Sequence, residues 1–291
     1  MSSSSPEPDL TVVVASNGAA GAVAGCLAAL EGQVVGAEVL VCEPSASGEE
    51  VRRAFPWAGF HVSPDALVPE LWRDGIERSR GGIVALTISP MRPADDWVAT
   101  IRRLLGRFDA VGGAVEPGAG LRLTDWAEYF CRYARDMLPF DGHACIDLPG
   151  DNAAYTRAAL ERTNELYRDG FWEPVVHRRL DADGARLWHA PELVVHQGRS
   201  AGPAAFVRQR LKHGRVYGRQ RGAGFGAARN AVGVAASPLV PFVLVLRRMR
   251  EVLRKGRHRG RLVLALPLLF VFDAAWAAGE ALGHVDVLRS R

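Results

Sequence analysis

Short apolar, β-branched runs alternate along the first half of the chain with segments whose apolar residues recur every three or four positions. Leu10–Ala15 leads through Ser16-Asn17-Gly18 into a helix-spaced stretch at 22–30, which predicts strand, turn and helix. The same alternation continues with strands at 37–42, 60–62 and 83–88, and helices at 48–53, 67–80 and 95–105. This order predicts an α/β fold with a doubly wound, mostly parallel sheet. From Ala110 the pattern becomes less regular. A strand at 110–115, a Pro/Gly loop and an aromatic amphipathic helix at 124–137 are followed by a loop through Gly150-Asp151-Asn152. Helices at 157–168 and about 173–182 come next, then closing strands at 186–190 and 193–196.

Past Arg199 the composition shifts. Of the 36 Lys+Arg and 32 Asp+Glu, 18 and 4 respectively lie from Arg199 onward, a net of +14 there against −10 for residues 1–198. Two apolar tracts follow: 232–246, interrupted by Pro238 and Pro241, and 262–272, continuing through Asp273 to Gly283. A membrane-spanning helix needs about 20 apolar residues. Asp273 and Glu280 are seven positions apart and so share a helix face. The polybasic link at 247–261 suits the cytoplasmic side of an anionic membrane. Two spanning helices would put that link on the outside if the N-terminal part is cytoplasmic, so peripheral or re-entrant helices are expected. Basic residues flanking apolar tracts suit lipid better than nucleic acid, which is not an expected partner.

The opening Met-Ser-Ser-Ser-Ser-Pro reads as part of a flexible arm, residues 1–9, and carries no basic-then-apolar signal. Cys26, Cys42, Cys131 and Cys145 show no CxxC spacing and lie among apolar or small neighbours, so they read as reduced structural thiols. Gly18, Gly21 and Gly25 follow a strand, but their spacing is not the strict dinucleotide fingerprint.

Taken in order, several segments resemble family 2 glycosyltransferases of the GT-A fold. They are Val12-Val-Val-Ala-Ser-Asn-Gly18 with Cys26-Leu-Ala-Ala-Leu30, Glu43 ending the second strand, Gly81-Gly82 before a buried strand, Gly112-Gly113, and Gly150-Asp-Asn-Ala-Ala-Tyr155 with Arg157. The resemblance implies a GT-A-type domain over 10–220, with basic and apolar membrane-associated helices over 221–291. It implies a nucleotide diphosphate sugar as donor, a lipid or cell-envelope glycan as acceptor, and a place at the cytoplasmic face of the membrane. Where the family carries Asp-x-Asp, this chain reads Ile88-Ser89-Pro90. The Mg2+ or Mn2+ usual in the family therefore lacks its side-chain ligands, and no metal ligand is assigned. Asp95 and Asp96 read as residues capping the following helix.

By the same resemblance Ser16, Asn17, Glu43, Ser89, Asp151 and Asn152 line the donor site, with His196 and then Ser200 near the diphosphate. Inverting transfer needs a carboxylate to take the acceptor proton, and in Phe171-Trp-Glu-Pro174 only Glu173 remains for that task. Arg208 and Arg210, with Lys212 and Arg215, can neutralise a diphosphate or face a membrane surface. The alternative is a transferase fold that binds a sugar nucleotide or a partner at the membrane without turnover.

Overall fold

The computed structural model describes residues 7–16, 19–199 and 202–290. Two compact units emerge: residues 1–118 with 136–198, and 119–135 with 199–291.

The first unit is built on a sheet that has nine strands among the described residues, in the order β3-β2-β1-β4-β8-β6-β9-β5, with β7 paired to β9. Strand β1 (Leu10–Ala15) is buried at all six positions, as expected for a β-branched run covered on both faces. It pairs in parallel with β2 (Glu38–Glu43) and β4 (Ile83–Ile88), and β2 pairs with β3 (Gly59–Val62). Between them run α1 (Ala20–Leu30), α2 (Glu49–Ala54) and α3 (Val68–Arg78). Helix α3 is started by Pro69 and by Glu70, whose carboxylate accepts the Leu67 N–H at 2.6 Å. Helix α4 (Trp97–Leu105) carries Asp96 at its N-cap position, yet that carboxylate meets the Thr100 hydroxyl at 3.4 Å instead of a backbone N–H.

Beyond β4 the sheet becomes mixed, because three short strands run against the rest. The loop expected at 150–152 leads at once into β8 (Asn152–Thr156), which lies antiparallel between β4 and β6 (Ala110–Pro117). Strand β5 (Met91–Pro93), flanked by prolines, pairs with the end of β9 (Leu187–Gln197). The two expected closing strands are thus one: β9 pairs with β6, with a register shift between Gly113 and Ala114 that skips Pro191, Glu192 and Leu193. Pro191 has no N–H to give the ladder, which explains the interruption. Strand β7 (His143–Ala144) is a two-residue edge pairing with β9.

The helix expected at 157–168 stops early, as α6 (Arg157–Glu161) and a single 3-10 turn at Asn164–Leu166. Thr163 donates to the Ala159 and Leu160 carbonyls and Tyr167 to that of Leu160, competing with the helix ladder. Helix α7 (Glu173–Ala182) then leads to β9.

The second unit is helical: α5 (Leu123–Tyr133), α8 (Pro203–Ala223), α9 (Ala227–Ala236), α10 (Val240–Lys255) and α11 (Arg259–Arg289). Helix α11 is its hub, packing on α5, α8, α9 and α10. The contact with α8 depends on missing side chains. A Cβ at Gly214 or Gly218 would run into the Trp276 or Glu280 carbonyl, and one at Gly279 or Gly283 into that of Leu211 or Arg215. Glycines four apart on both helices let the backbones touch, a small-residue seam like those between membrane helices. Asp273, fully buried, accepts Arg248 Nη1 at 2.7 Å and lies 3.6 Å from Arg210 Nη2. Glu280 pairs with Arg221 and Asp286 with Arg215.

The stretches Ala227–Lys255 and Arg259–Arg289 are long and apolar enough to cross a membrane, by length and composition. The unit boundary falls before α8, at Arg199, where the composition shifts, while the domain that the resemblance implies runs on to 220; α5 joins the later helices.

Candidate functional site

In open α/β sheets ligands bind at the carboxyl ends of the parallel strands, and here those ends gather most of the expected residues. Ser16 follows β1 and its N–H bonds the Cys42 carbonyl; Ser89 follows β4 and its N–H bonds that of Ala15. Glu43 ends β2, fully buried, its carboxylate accepting the Ser47 N–H at 3.0 Å and Arg52 Nη2 at 3.1 Å. The Thr87 hydroxyl donates to the Asp151 carbonyl, tying that residue to the end of β4. Asn17 and Ser200 lie outside the described residues.

Asn152 is placed differently from a ligand contact. Its amide is wholly buried, accepting Trp97 Nε1 at 2.8 Å and donating to the Ala114 and Leu193 carbonyls at 2.9 Å each. Asn152 therefore locks β8, β6 and the irregular turn of β9 together and positions Asp151 beside it. Gly112 and Gly113 serve the same junction, since a Cβ would collide with Leu148 at the first and with the Leu193 carbonyl at the second. Arg157, expected beside the sugar, sits at the other end of β8, donating to the Ser79 and Gly81 carbonyls. β8 runs antiparallel, so its last residues return to the opposite edge of the sheet.

Glu173 is brought to the strand-end edge. It opens α7, half-buried, and its side chain lies against Gly150, where any Cβ would strike the carboxylate. Beneath it, Tyr155 meets His177 Nε2 at 2.7 Å, and burial together with the Glu173 charge holds the tyrosine pKa well above its usual value.

One residue that sequence reasoning missed stands out. Arg92, on β5, donates from Nη1 to the Ser89 and Met91 carbonyls at 3.0 and 2.9 Å. Its guanidinium lies on α1 where Gly25 leaves room, and burial pulls its pKa down. Among the described residues no carboxylate is ion-paired with it. His196, exposed, is its direct cross-strand partner. The missing signal was β5 itself: three residues, preceded by one proline and ending in another, carry no strand periodicity.

A divalent ion does not fit this turn. Ile88 and Pro90 offer no side-chain ligand atoms, Ser89 offers one buried hydroxyl without a hydrogen-bond partner, the Pro90 carbonyl is taken by the Gly198 N–H, and a guanidinium is anchored to the Ser89 carbonyl. Arg208 and Arg210 belong to the second unit, where Arg208 is exposed. Arg210 is engaged by Asp273 and stacks over Trp276, 4.2 Å from the ring centroid.

This architecture is a GT-A-type glycosyltransferase fold. Across 98% of this chain and 76% of the other it superposes on the mannosyltransferase PcManGT from Pyrobaculum calidifontis, solved with GDP-Man and Mn2+, with TM-score 0.50 and 15% identity. Residues 1–349 of S. aureus TarS, solved with UDP-GlcNAc, show TM-score 0.48 and 11% identity over 70% of this chain and 64% of that one. No protein-family model and no curated protein sequence matches the chain.

Proposed function

We propose that the protein is a divergent glycosyltransferase that moves a sugar from a nucleotide diphosphate sugar to a lipid or cell-envelope glycan, with inversion. The observation that carries this reading is the convergence of Ser16, Ser89, Asp151 and Glu173 on the carboxyl edge of the parallel strands, with Arg92 anchored among them. In the reaction Glu173 accepts the acceptor hydroxyl proton while that oxygen attacks the anomeric carbon. The bond to the diphosphate breaks on the opposite face and its electron pair leaves with the phosphate. Arg92, with His196 across from it, offsets the charge that a metal held by Asp-x-Asp offsets elsewhere in the family.

The catalytic domain corresponds to 10–220, and the later helices hold it at the cytoplasmic face of the membrane. Large apolar side chains left exposed there, among them Leu239, Phe242, Val243, Leu246, Val263 and Leu264, support contact with lipid.

Calorimetry of the full chain in detergent with GDP-mannose, UDP-N-acetylglucosamine and related donors, in EDTA, tests the donor site. Binding should survive chelation, and Arg92→Gln should weaken it by roughly 10- to 100-fold, the worth of a charged hydrogen bond. Loss of binding in EDTA that Mn2+ restores would refute the metal-free site. Glu173→Gln should lower transfer about 100-fold with donor affinity unchanged. Tight donor binding by the wild type without transfer to any extracted acceptor would favour a non-catalytic binder.

A further inference from the structure

Away from the strand-end edge, β7 and β9 bring together three side chains with no part in the chemistry above. His143 lies directly across from His189, and Cys145 is two residues beyond His143 on the side of the ribbon that both histidines share. One donor atom from each of His143, Cys145 and His189 falls within 4.8 Å of the others. His196 is seven residues further along β9, roughly 20 Å at the rise of a strand, so this is a separate locus.

We propose that His143, Cys145 and His189 form a binding site for a divalent transition metal of the zinc type. Two imidazoles and a thiolate make a borderline-soft donor set that suits zinc and excludes magnesium and calcium. The surroundings prepare each donor. His143 Nδ1 lies 2.8 Å from the Asp141 carbonyl, which can only accept, so the proton sits on Nδ1 and Nε2 keeps its lone pair. His189, 3% exposed, has Nε2 3.5 Å from the Asp136 carboxylate, an acid placed to orient the ring. The Asp147 N–H points at Cys145 Sγ at 3.4 Å, a contact that holds the sulfur in place. Phe140 stacks on His189 with centroids 4.2 Å apart and shields one face of the site.

Donors around a tetrahedral zinc stand about 3.3–3.8 Å apart, given the usual bond lengths. Closing from 4.8 Å requires a shift of roughly 1 Å, and His143 is exposed and Cys145 half-buried, so both have room to turn. Water completes a four-coordinate shell. Cys145, which composition assigns to inert buried thiols, is instead one residue removed from a histidine in His143-Ala-Cys145.

The consequence is mechanical. A two-residue edge ladder holds weakly, and the segment 145–151 that leaves it delivers Gly150 and Asp151. A metal at its root pins that segment to β9.

Full-length protein prepared without a polyhistidine tag, reduced and freed of metal, is titrated with Zn2+ against a chromophoric chelator and separately with Co2+. One Zn2+ per chain should bind, and Co2+ should give a thiolate-to-cobalt charge-transfer band. Cys145→Ser should abolish the band and weaken Zn2+ by at least ~10-fold, as should His143→Ala for affinity. Zn2+ should also slow amide exchange at 146–148 in the wild type only. His143 is exposed at an edge, so its variant keeps the test valid should Cys145→Ser misfold. Equal Zn2+ affinity in wild type and His143→Ala, or an unaltered cobalt spectrum in Cys145→Ser, overturns the proposal.

Discussion

Removing the Asp273 carboxylate should be among the most damaging single changes in the helical unit. Asp273 comes from α11, accepts Arg248 Nη1 of α10 at 2.7 Å and the Cys131 thiol of α5 at 3.7 Å, and faces Arg210 of α8 at 3.6 Å. One carboxylate thus joins four helices. The Arg248 and Arg210 side chains are 14% and 15% exposed and that of Asp273 is 0% exposed, so water cannot replace the lost partner. Breaking a buried pair from one side costs about 3–5 kcal/mol, because the other charge is left behind. For a unit of this size that lowers the unfolding midpoint by on the order of 10 °C or more.

Thermal unfolding of the full chain in detergent, followed by intrinsic fluorescence, reads the effect, since Trp276 lies under the Arg210 guanidinium. The double-mutant cycle sharpens the test. Arg248→Ala in the Asp273→Ala background removes a charge that is already unpaired, so it should cost less than in the wild type, with a coupling of roughly 1–3 kcal/mol. Asp273→Ala with a midpoint within 2 °C of wild type (about 1 kcal/mol or less by the same scale), or single effects that simply add, would refute the reasoning.

The α8–α11 seam predicts that Gly218→Val destabilises the helical unit by at least ~1–3 kcal/mol, the usual cost of overpacking, because the new Cβ meets the Glu280 backbone; an unchanged melting curve would count against the seam. His213 has its pKa lowered to about 4, by burial and then by the charges of Arg132, Arg210 and Lys212. The unfolded chain therefore takes up the His213 proton first, and stability should fall as pH drops from about 6.5 toward 4. His213→Gln should flatten that part of the profile, and an identical slope in both proteins would exclude the group. Truncation at 220 or 229 should yield aggregated protein instead of a soluble domain. It strips α11 from α5, whose Tyr129 and Phe130 are fully buried and whose Trp126 ring meets that of His258 with centroids 4.8 Å apart. A monodisperse truncated protein would show that α5 holds without α11.

The parallel half of the sheet was legible because each strand there carries its own signal. Leu10–Ala15 and Ile83–Ile88 are apolar runs buried on both faces, and their bounds match the expected ones residue for residue. β5, β7 and β8 were not legible because each exists through its partner. Asn152-Ala-Ala-Tyr-Thr156 has little strand character alone; it becomes a strand because β4 and β6 present two edges that it fills. A Pro at position 191 splits β9 in sequence, whereas in space both halves continue along one partner, β6.

The same distinction separates the site residues. Ser16, Glu43 and Ser89 are candidates that the sequence offers because they end or follow strands that local pattern reveals, and strand ends are where such sheets bind ligands. Arg92 and the His143–Cys145–His189 group were missed because pairing, not spacing, makes them: Arg92 opposes His196 and His143 opposes His189 only once β9 is in place. The turn after β4 reads Ile88, Ser89 and Pro90, and two residues later comes Arg92, anchored by the carbonyl of that same turn. A guanidinium there makes the turn itself cationic, whereas a pair of carboxylates would require a bound cation, and the charge of a diphosphate can be met by either arrangement.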